Sequence, residues 1–323
     1  MARGSSGWNL SRHLNVLALI AVAAWASAAA SAAETSNRWH ENYFPNVILT
    51  DHEGKRHRFY DDLIKGKTVS INFIYTKCND VCPAETAQLK QVHDLLGDRL
   101  GRDIFMYSIS IDPEHDTPAV LKNYRHMFGI NDGWSFLTGS RADVELLQKR
   151  LGLSVIDPAT IKDHGTNIVL GQEATATWIR RTPYDEPKVL AAILTDRLQN
   201  NKGGTAGRAS YDQAPQITPH SRGKELFRSR CESCHTIGAG DKLGPDLANV
   251  VASRPRVWLT RWLKEPDKML AEGDPVALEL KARYRNLPMP NFGFGDVEAN
   301  ALIDYMAEQD RKRNSPASSP RAN

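Results

Sequence analysis

Cysteine is nearly absent, with four in 323 residues. So sparse a set excludes a small disulfide-stapled scaffold. No sign of charge dominates: 41 Lys+Arg face 38 Asp+Glu, and Arg3 and Arg12, in an acid-free stretch of 33 residues, supply most of the excess. No nucleic-acid partner is expected, because that needs a basic field. There is no internal repeat and no succession of long apolar runs, which excludes a solenoid and a multi-span membrane protein. What is present is an ordinary globular composition, 41% hydrophobic and 24% charged. That is too apolar for wholesale disorder and long enough for about two domains.

Residues 1–33 read as an export signal. Arg3, Arg12 and His13 form a basic start, 14–25 is apolar, and 26–33 is nearly all Ala and Ser. Ala30-Ser31-Ala32 and Ser31-Ala32-Ala33 are small-residue cleavage sites just before Glu34. The run 14–33 also has about the length of a membrane span. Its weakly apolar second half favours cleavage over retention as an N-terminal anchor. Either way the body is expected to be exported to the bacterial periplasm, and to meet the membrane only through an uncleaved N-terminal segment. The cysteines are then read in an oxidising compartment.

The exported part divides in two. Across 45–198 the pattern is mixed. Residues 69–75 and 104–111 are β-rich runs, with a helical stretch at 83–96 between them. Asp116-Thr117-Pro118 supplies a cap and a first-turn proline for a helix ending at Gly129, and Ser140 caps another over 141–151. A short strand at 174–180 and a helix at 187–198 complete an α/β layer pattern. Residues 199–221 hold three Gly and two Pro without apolar periodicity and read as a linker. Residues 222–310 read as helices only, including 223–231, 257–264 and 297–308. The polar segment 311–323 reads as a disordered tail.

Cys231-Glu-Ser-Cys234-His235 is C-x-x-C-H, the attachment signature of c-type haem. Two thiols add across the two vinyl groups of one porphyrin, and the adjacent imidazole points at the iron. A bare C-x-x-C redox pair is the alternative, but the adjacent His and the all-helical context weigh against it. Gly223-Lys-Glu-Leu-Phe227 precedes the motif; Gly244-Pro245-Asp246-Leu247 and Leu287-Pro-Met289-Pro-Asn-Phe292 follow it. Over about 90 residues this arrangement resembles a class I cytochrome c domain. The resemblance implies one covalent haem c, an iron held by His235 and Met289, and a Pro245 carbonyl that orients the His235 ring. Met269 is a competing sixth ligand. Met289 is preferred because the flanking prolines hold it in a rigid, non-helical loop. Met/His ligation raises the reduction potential and closes the iron to oxygen, so the domain is expected to carry electrons.

The other two cysteines lie in Tyr75-Thr-Lys-Cys78-Asn-Asp-Val-Cys82-Pro83, between a strand and a helix. A thiol at a helix N-terminus is acidified, which suits a metal ligand or a nucleophile. A structural disulfide remains open, and a thioredoxin-like redox pair usually has two intervening residues rather than three.

Three blocks carry a second resemblance: Phe73-Ile-Tyr-Thr-Lys-Cys78-Asn-Asp-Val-Cys82-Pro83, Ser108-Ile-Ser-Ile-Asp-Pro-Glu-His-Asp-Thr-Pro118, and Asp163-His164, with Leu137-Thr-Gly139 also fitting. Residues 45–198 resemble the Sco/SenC family of copper proteins, which implies a thioredoxin-like fold. It also implies one copper ion bound by Cys78, Cys82 and His164. Two thiolates and an imidazole make a soft, low-coordinate set that suits Cu(I) and tolerates Cu(II), whereas zinc usually takes a fourth ligand. His52, His57, His93, His115 and His126 are read as solvated surface, and Asp80 as a loop hydrogen-bonder.

The fold class expected is thus an α/β thioredoxin-like domain followed by an all-α cytochrome c domain. Three functions fit. The first is a metallochaperone that delivers copper to the dinuclear copper site of a respiratory cytochrome oxidase, with one-electron transfer through the haem. The second is a thiol–disulfide oxidoreductase acting on the oxidase copper-site cysteines. The third is a plain electron-transfer cytochrome. Expected partners are the oxidase copper-site subunit and electron-donor or acceptor cytochromes.

Overall fold

The computed structural model describes residues 43–78, 81–153, 167–200 and 221–315. The expected export signal at 1–33, most of the expected linker, Asn79, Asp80 and His164 lie outside the described residues. Among the described residues no helix is long and apolar enough to cross a membrane.

The first part of the chain is a seven-stranded sheet flanked by helices. Its strands are β1 (Ile48–Asp51), β2 (Arg56–Arg58), β3 (Thr68–Ile74), β4 (Ile104–Ser110), β5 (Trp134–Gly139), β6 (Ile168–Gln172) and β7 (Thr177–Arg181). The spatial order is β2-β1-β5-β4-β3-β6-β7. The central strands β3, β4 and β5 are parallel, and the outer pairings are antiparallel. All seven residues of β3 are buried, as expected for a strand covered on both faces. The side chains alternate between two cores. Val69, Ile71, Tyr107 and Ile109 face one cluster; Ile74, Ile104 and Met106 face the other.

Helix α1 (Cys82–Leu96) follows β3, α2 (Pro118–Met127) follows β4, and α3 (Arg141–Leu151) follows β5. Thr117 rather than Asp116 caps α2, its side chain accepting from the Val120 N–H. Ser140 caps α3 through the Asp143 N–H at 3.1 Å. The strand expected at 174–180 is a hairpin: β6 and β7 pair antiparallel around a short turn at Glu173–Thr175. Helix α4 (Pro187–Ala192) then passes into a wider turn at Ile193–Arg197.

The second part is helical: α5 (Arg222–Leu226), α6 (Val250–Ser253), α7 (Arg256–Lys264), α8 (Pro266–Ala271), α9 (Pro275–Arg283) and α10 (Asp296–Asn314). The last helix runs four residues beyond 310, so the start of the expected tail is helical. Basic residues Arg311, Lys312 and Arg313 in its final turn complement the helix dipole. A separate core of Phe227, Cys231, Leu259, Leu263, Ala299, Leu302, Ile303 and Met306 holds this part together.

Gly223 sets how closely α5 crosses α10. A Cβ there would stand 2.1 Å from the Ala301 carbonyl oxygen and 2.7 Å from the Tyr305 Cβ. Neither is the flexible end of a side chain. Gly223→Ala is therefore expected to destabilise the helical domain by about 1–3 kcal/mol, which thermal unfolding followed by far-UV circular dichroism measures.

Candidate functional site

Two sites are built by these elements. The first lies where β3 ends and α1 begins. The Cys78 N–H donates to the Tyr75 carbonyl at 3.2 Å, and the Cys82 N–H reaches the Cys78 Sγ at 3.4 Å. Both cysteines are buried thiols. Cys82 is the first residue of α1, and the contact of its N–H with the Cys78 sulfur brings the two residues side by side.

Proximity also reverses an expectation. The Cys82 thiol is pushed up from its ordinary value rather than acidified. The hydrogen bond with Cys78 is the largest cause, followed by burial and by the charge on Cys78. A second sulfur alongside outweighs the helix terminus, so the pair retains a proton that an incoming metal must displace.

The loop is fixed from below by Asp116, a fully buried carboxylate. It accepts from the Thr76 N–H at 3.1 Å, from the Thr76 hydroxyl at 2.5 Å and from the Ser110 hydroxyl at 2.5 Å. The sequence reading took Asp116 for part of a helix cap. Its role depends on β3 and β4 lying side by side, which no local pattern encodes. Asp116→Asn trades a buried acceptor of three hydrogen bonds for an amide and is expected to cost the sheet domain about 1–3 kcal/mol, which chemical unfolding measures.

The histidines read as surface divide. His52 and His93 are buried. His52 Nδ1 accepts from the Phe136 N–H at 3.2 Å, and His93 Nε2 lies 3.0 Å from the Asp132 carbonyl. Backbone partners hold both rings. Among the described residues no three His, Cys, Asp or Glu side chains form a metal-ligating group.

The second site is a cleft of about 290 Å³ in the helical part. Cys231, Cys234, His235, Met289, Leu259 and Trp258 are among the residues that line it. The four residues singled out in the sequence thus share one cavity, whereas Met269 is buried in α8 and is not part of its wall. His235 Nδ1 lies 2.8 Å from the Pro245 carbonyl. A carbonyl only accepts, so Nδ1 carries the hydrogen and Nε2 keeps its lone pair for a metal. Burial holds the imidazole below its ordinary pKa, favouring the neutral, ligating form.

Gly244 leaves room for that ring: a Cβ would stand 2.6 Å from His235 Cε1. Burial pushes Cys231 up to about 12 and Cys234 up to about 11, so both are thiols at neutral pH. Apolar walls, two thiols and a neutral imidazole with a fixed tautomer fit a porphyrin iron. The stacked pair Trp258–Trp262, with centroids 5.4 Å apart, completes the wall. The signal for it was two tryptophans four apart on one helix, which the sequence reading passed over.

A third group was also missed. Glu85 sits one turn after Cys82 on α1. It is 3% exposed, and its Oε1 has no hydrogen-bond partner among the described residues. Burial, followed by the charge on Cys78, pushes it up to about 8, against the pull of Arg230.

Comparison with known proteins comes to the same two parts. The SCO1/SenC family profile matches residues 39–199, and the cytochrome c profile matches 220–310. The SCO1 protein homolog of Bacillus subtilis is 34% identical over 137 residues, covering 38% of this chain and 68% of that protein. Protein SenC of Rhodobacter capsulatus is 31% identical over 105 residues, 31% of this chain and 46% of that protein. Among solved structures, Bradyrhizobium japonicum ScoI with copper bound is 28% identical. It covers 46% of this chain and 94% of that one, with a TM-score of 0.39.

Proposed function

This chain belongs to the SCO1/SenC family and carries a cytochrome c domain, and from that premise we propose that it is an exported copper metallochaperone with a built-in one-electron carrier. It binds one copper through Cys78, Cys82 and His164, and passes it to the copper-site subunit of a respiratory cytochrome oxidase. One haem c is attached at Cys231 and Cys234, with His235 and Met289 on the iron. It exchanges single electrons with donor or acceptor cytochromes. Residues 1–33 support export to the periplasm.

The observation that carries this reading is the meeting of the Cys78 and Cys82 thiols at the head of α1. Two sulfurs on one short turn grip a soft cation and can release it one ligand at a time. The bound haem supplies a reversible one-electron couple. The protein's part is to hold His235 in one tautomer, close the cleft to water and keep the Met289 sulfur on its wall.

A thiol–disulfide oxidoreductase would use the same cysteines. That chemistry takes two electrons, whereas one haem carries one. His164→Ala separates the two readings. It is expected to lower Cu(II) affinity by at least about tenfold and Cu(I) affinity much less, because two thiolates alone hold Cu(I) linearly. Thiol exchange with a disulfide peptide should be unchanged. Metal analysis and competition titration of the purified protein give the answer. Equal copper binding by wild type and variant removes His164 from the site.

A further inference from the structure

We propose that the sheet domain supports the loop that carries the sixth haem ligand. Residues 285–292, with Met289 in their middle, are braced near both ends by contacts that cross to the sheet domain, and the grip of the Met289 sulfur on iron depends on those contacts. The ligand role of Met289 rests on the haem reading above; the contacts do not.

The loop follows α9. Arg285 and Asn286 both stand in the left-handed region, with φ of 57° and 59°. Residues with a Cβ rarely adopt it, and two in succession persist where surrounding contacts fix them. One such contact is local: the Asn286 N–H donates to the Lys281 carbonyl at 2.9 Å. The next ones reach the sheet domain. The Arg285 guanidinium lies against Gly129, where a Cβ would stand 2.8 Å from Nη1. Gly129 lies just past the end of α2, and the C-terminal end of a helix favours a cation. Leu287 packs against the sheet-domain core cluster that contains Ile74, Ala87 and Leu190.

The far end is braced differently. Asn291 is tied within its own domain, its amide donating to Asp267 at 2.7 Å. Phe292 is tied through Arg230, whose guanidinium lies 5.9 Å from the Phe292 centroid and 4.2 Å from that of Tyr184. Tyr184 belongs to the sheet domain, between β7 and α4. One cation thus joins a ring of the loop to a ring of the other domain. Between the braces, Pro288 and Pro290 fix two φ angles on either side of Met289. The cleft wall has the same backing, since Cys234, Leu243 and Leu287 line the cleft and also pack on the sheet-domain cluster. A thioether is a neutral ligand, so its hold on iron gains from being delivered in place rather than from charge. Releasing either brace frees the loop and opens the sixth position to an outside ligand.

Imidazole titration of the full-length, ferric, haem-loaded protein tests this, because imidazole competes with the Met289 sulfur for one position. Arg285→Ala and Tyr184→Leu are each expected to raise the apparent imidazole affinity about tenfold and to lower the haem reduction potential. Tyr184→Phe keeps a ring beneath Arg230 and should match the wild type, and Arg285→Lys should recover part of the difference. Amide hydrogen exchange over residues 285–292 should rise in Arg285→Ala and Tyr184→Leu and not in Tyr184→Phe. One covalent haem per chain and an unchanged far-UV circular dichroism spectrum show that a variant is folded. Arg285 is exposed, so Arg285→Ala carries the test if Tyr184→Leu fails to fold. Wild-type imidazole affinity and potential in the folded variants overturn the proposal. A wild type that binds imidazole as tightly as Met289→Ala overturns the ligand assignment itself, and the proposal with it.

Discussion

Cys78→Ser and Cys82→Ser are each expected to lower Cu(I) affinity by about two orders of magnitude or more, the largest effect of any substitution in the sheet domain. A hydroxyl is a hard donor and does not ionise near neutral pH, so each change removes a soft anionic ligand and replaces it with almost nothing. The fold should survive, since serine is slightly smaller and the Cys82 N–H can still find an oxygen at position 78.

The same site predicts a pH dependence. The Cys82 thiol is raised by its neighbour and by burial. Copper therefore displaces a tightly held proton, and affinity should fall as the pH is lowered and rise as it is raised. An oxidised Cys78–Cys82 pair should not bind at all. Chelator competition at several pH values, on protein of known thiol content, measures all three. Equal copper binding by wild type and the double serine variant would sink the chaperone reading and leave electron transfer through the haem.

The second large effect is expected at the haem. His235→Ala should abolish the normal low-spin spectrum outright, because among the described residues no other imidazole lines the cleft. Met289→Ala should leave the haem attached, open the sixth position to water or added ligands, and lower the reduction potential. Met269→Ala should do neither, since that side chain packs in α8 away from the cleft wall. Cys231→Ser or Cys234→Ser should each weaken covalent attachment by leaving a single thioether, and only the double variant should give up its haem to acid–acetone extraction. Visible spectra with and without added imidazole, together with a potentiometric titration, read these outcomes. A potential that falls with Met269→Ala and not with Met289→Ala would move the sixth ligand to Met269.

Much of this was legible in the amino-acid order because the chemistry is local. Covalent haem attachment needs two thiols and an imidazole at fixed short spacing, so Cys231, Cys234 and His235 announce themselves. The Cys78–Cys82 pair does so for the same reason, and the Ser140 cap and the helix at Arg141–Leu151 follow from neighbouring residues. The sequence pattern does not mark β1, β2, β5 or β6. β1 and β2 are short, and β5 is a six-residue run whose strand character depends on pairing with β4 and β1.

The sequence by itself therefore determined the two-part organisation, the two sets of cysteines and the chemistry each can support. Only the tertiary structure decided what surrounds them. Asp116 serves the Thr76 loop because parallel pairing of β3 and β4 brings residues 40 apart in sequence into hydrogen-bond contact. His52 and His93, polar in sequence, are buried because backbone groups 84 and 39 residues away hold them there. The raised thiol of Cys82 and the seating of Arg230 over the Tyr184 ring have the same origin. Electrostatic energy depends on distance and burial, and both are properties of the folded chain rather than of spacing along it.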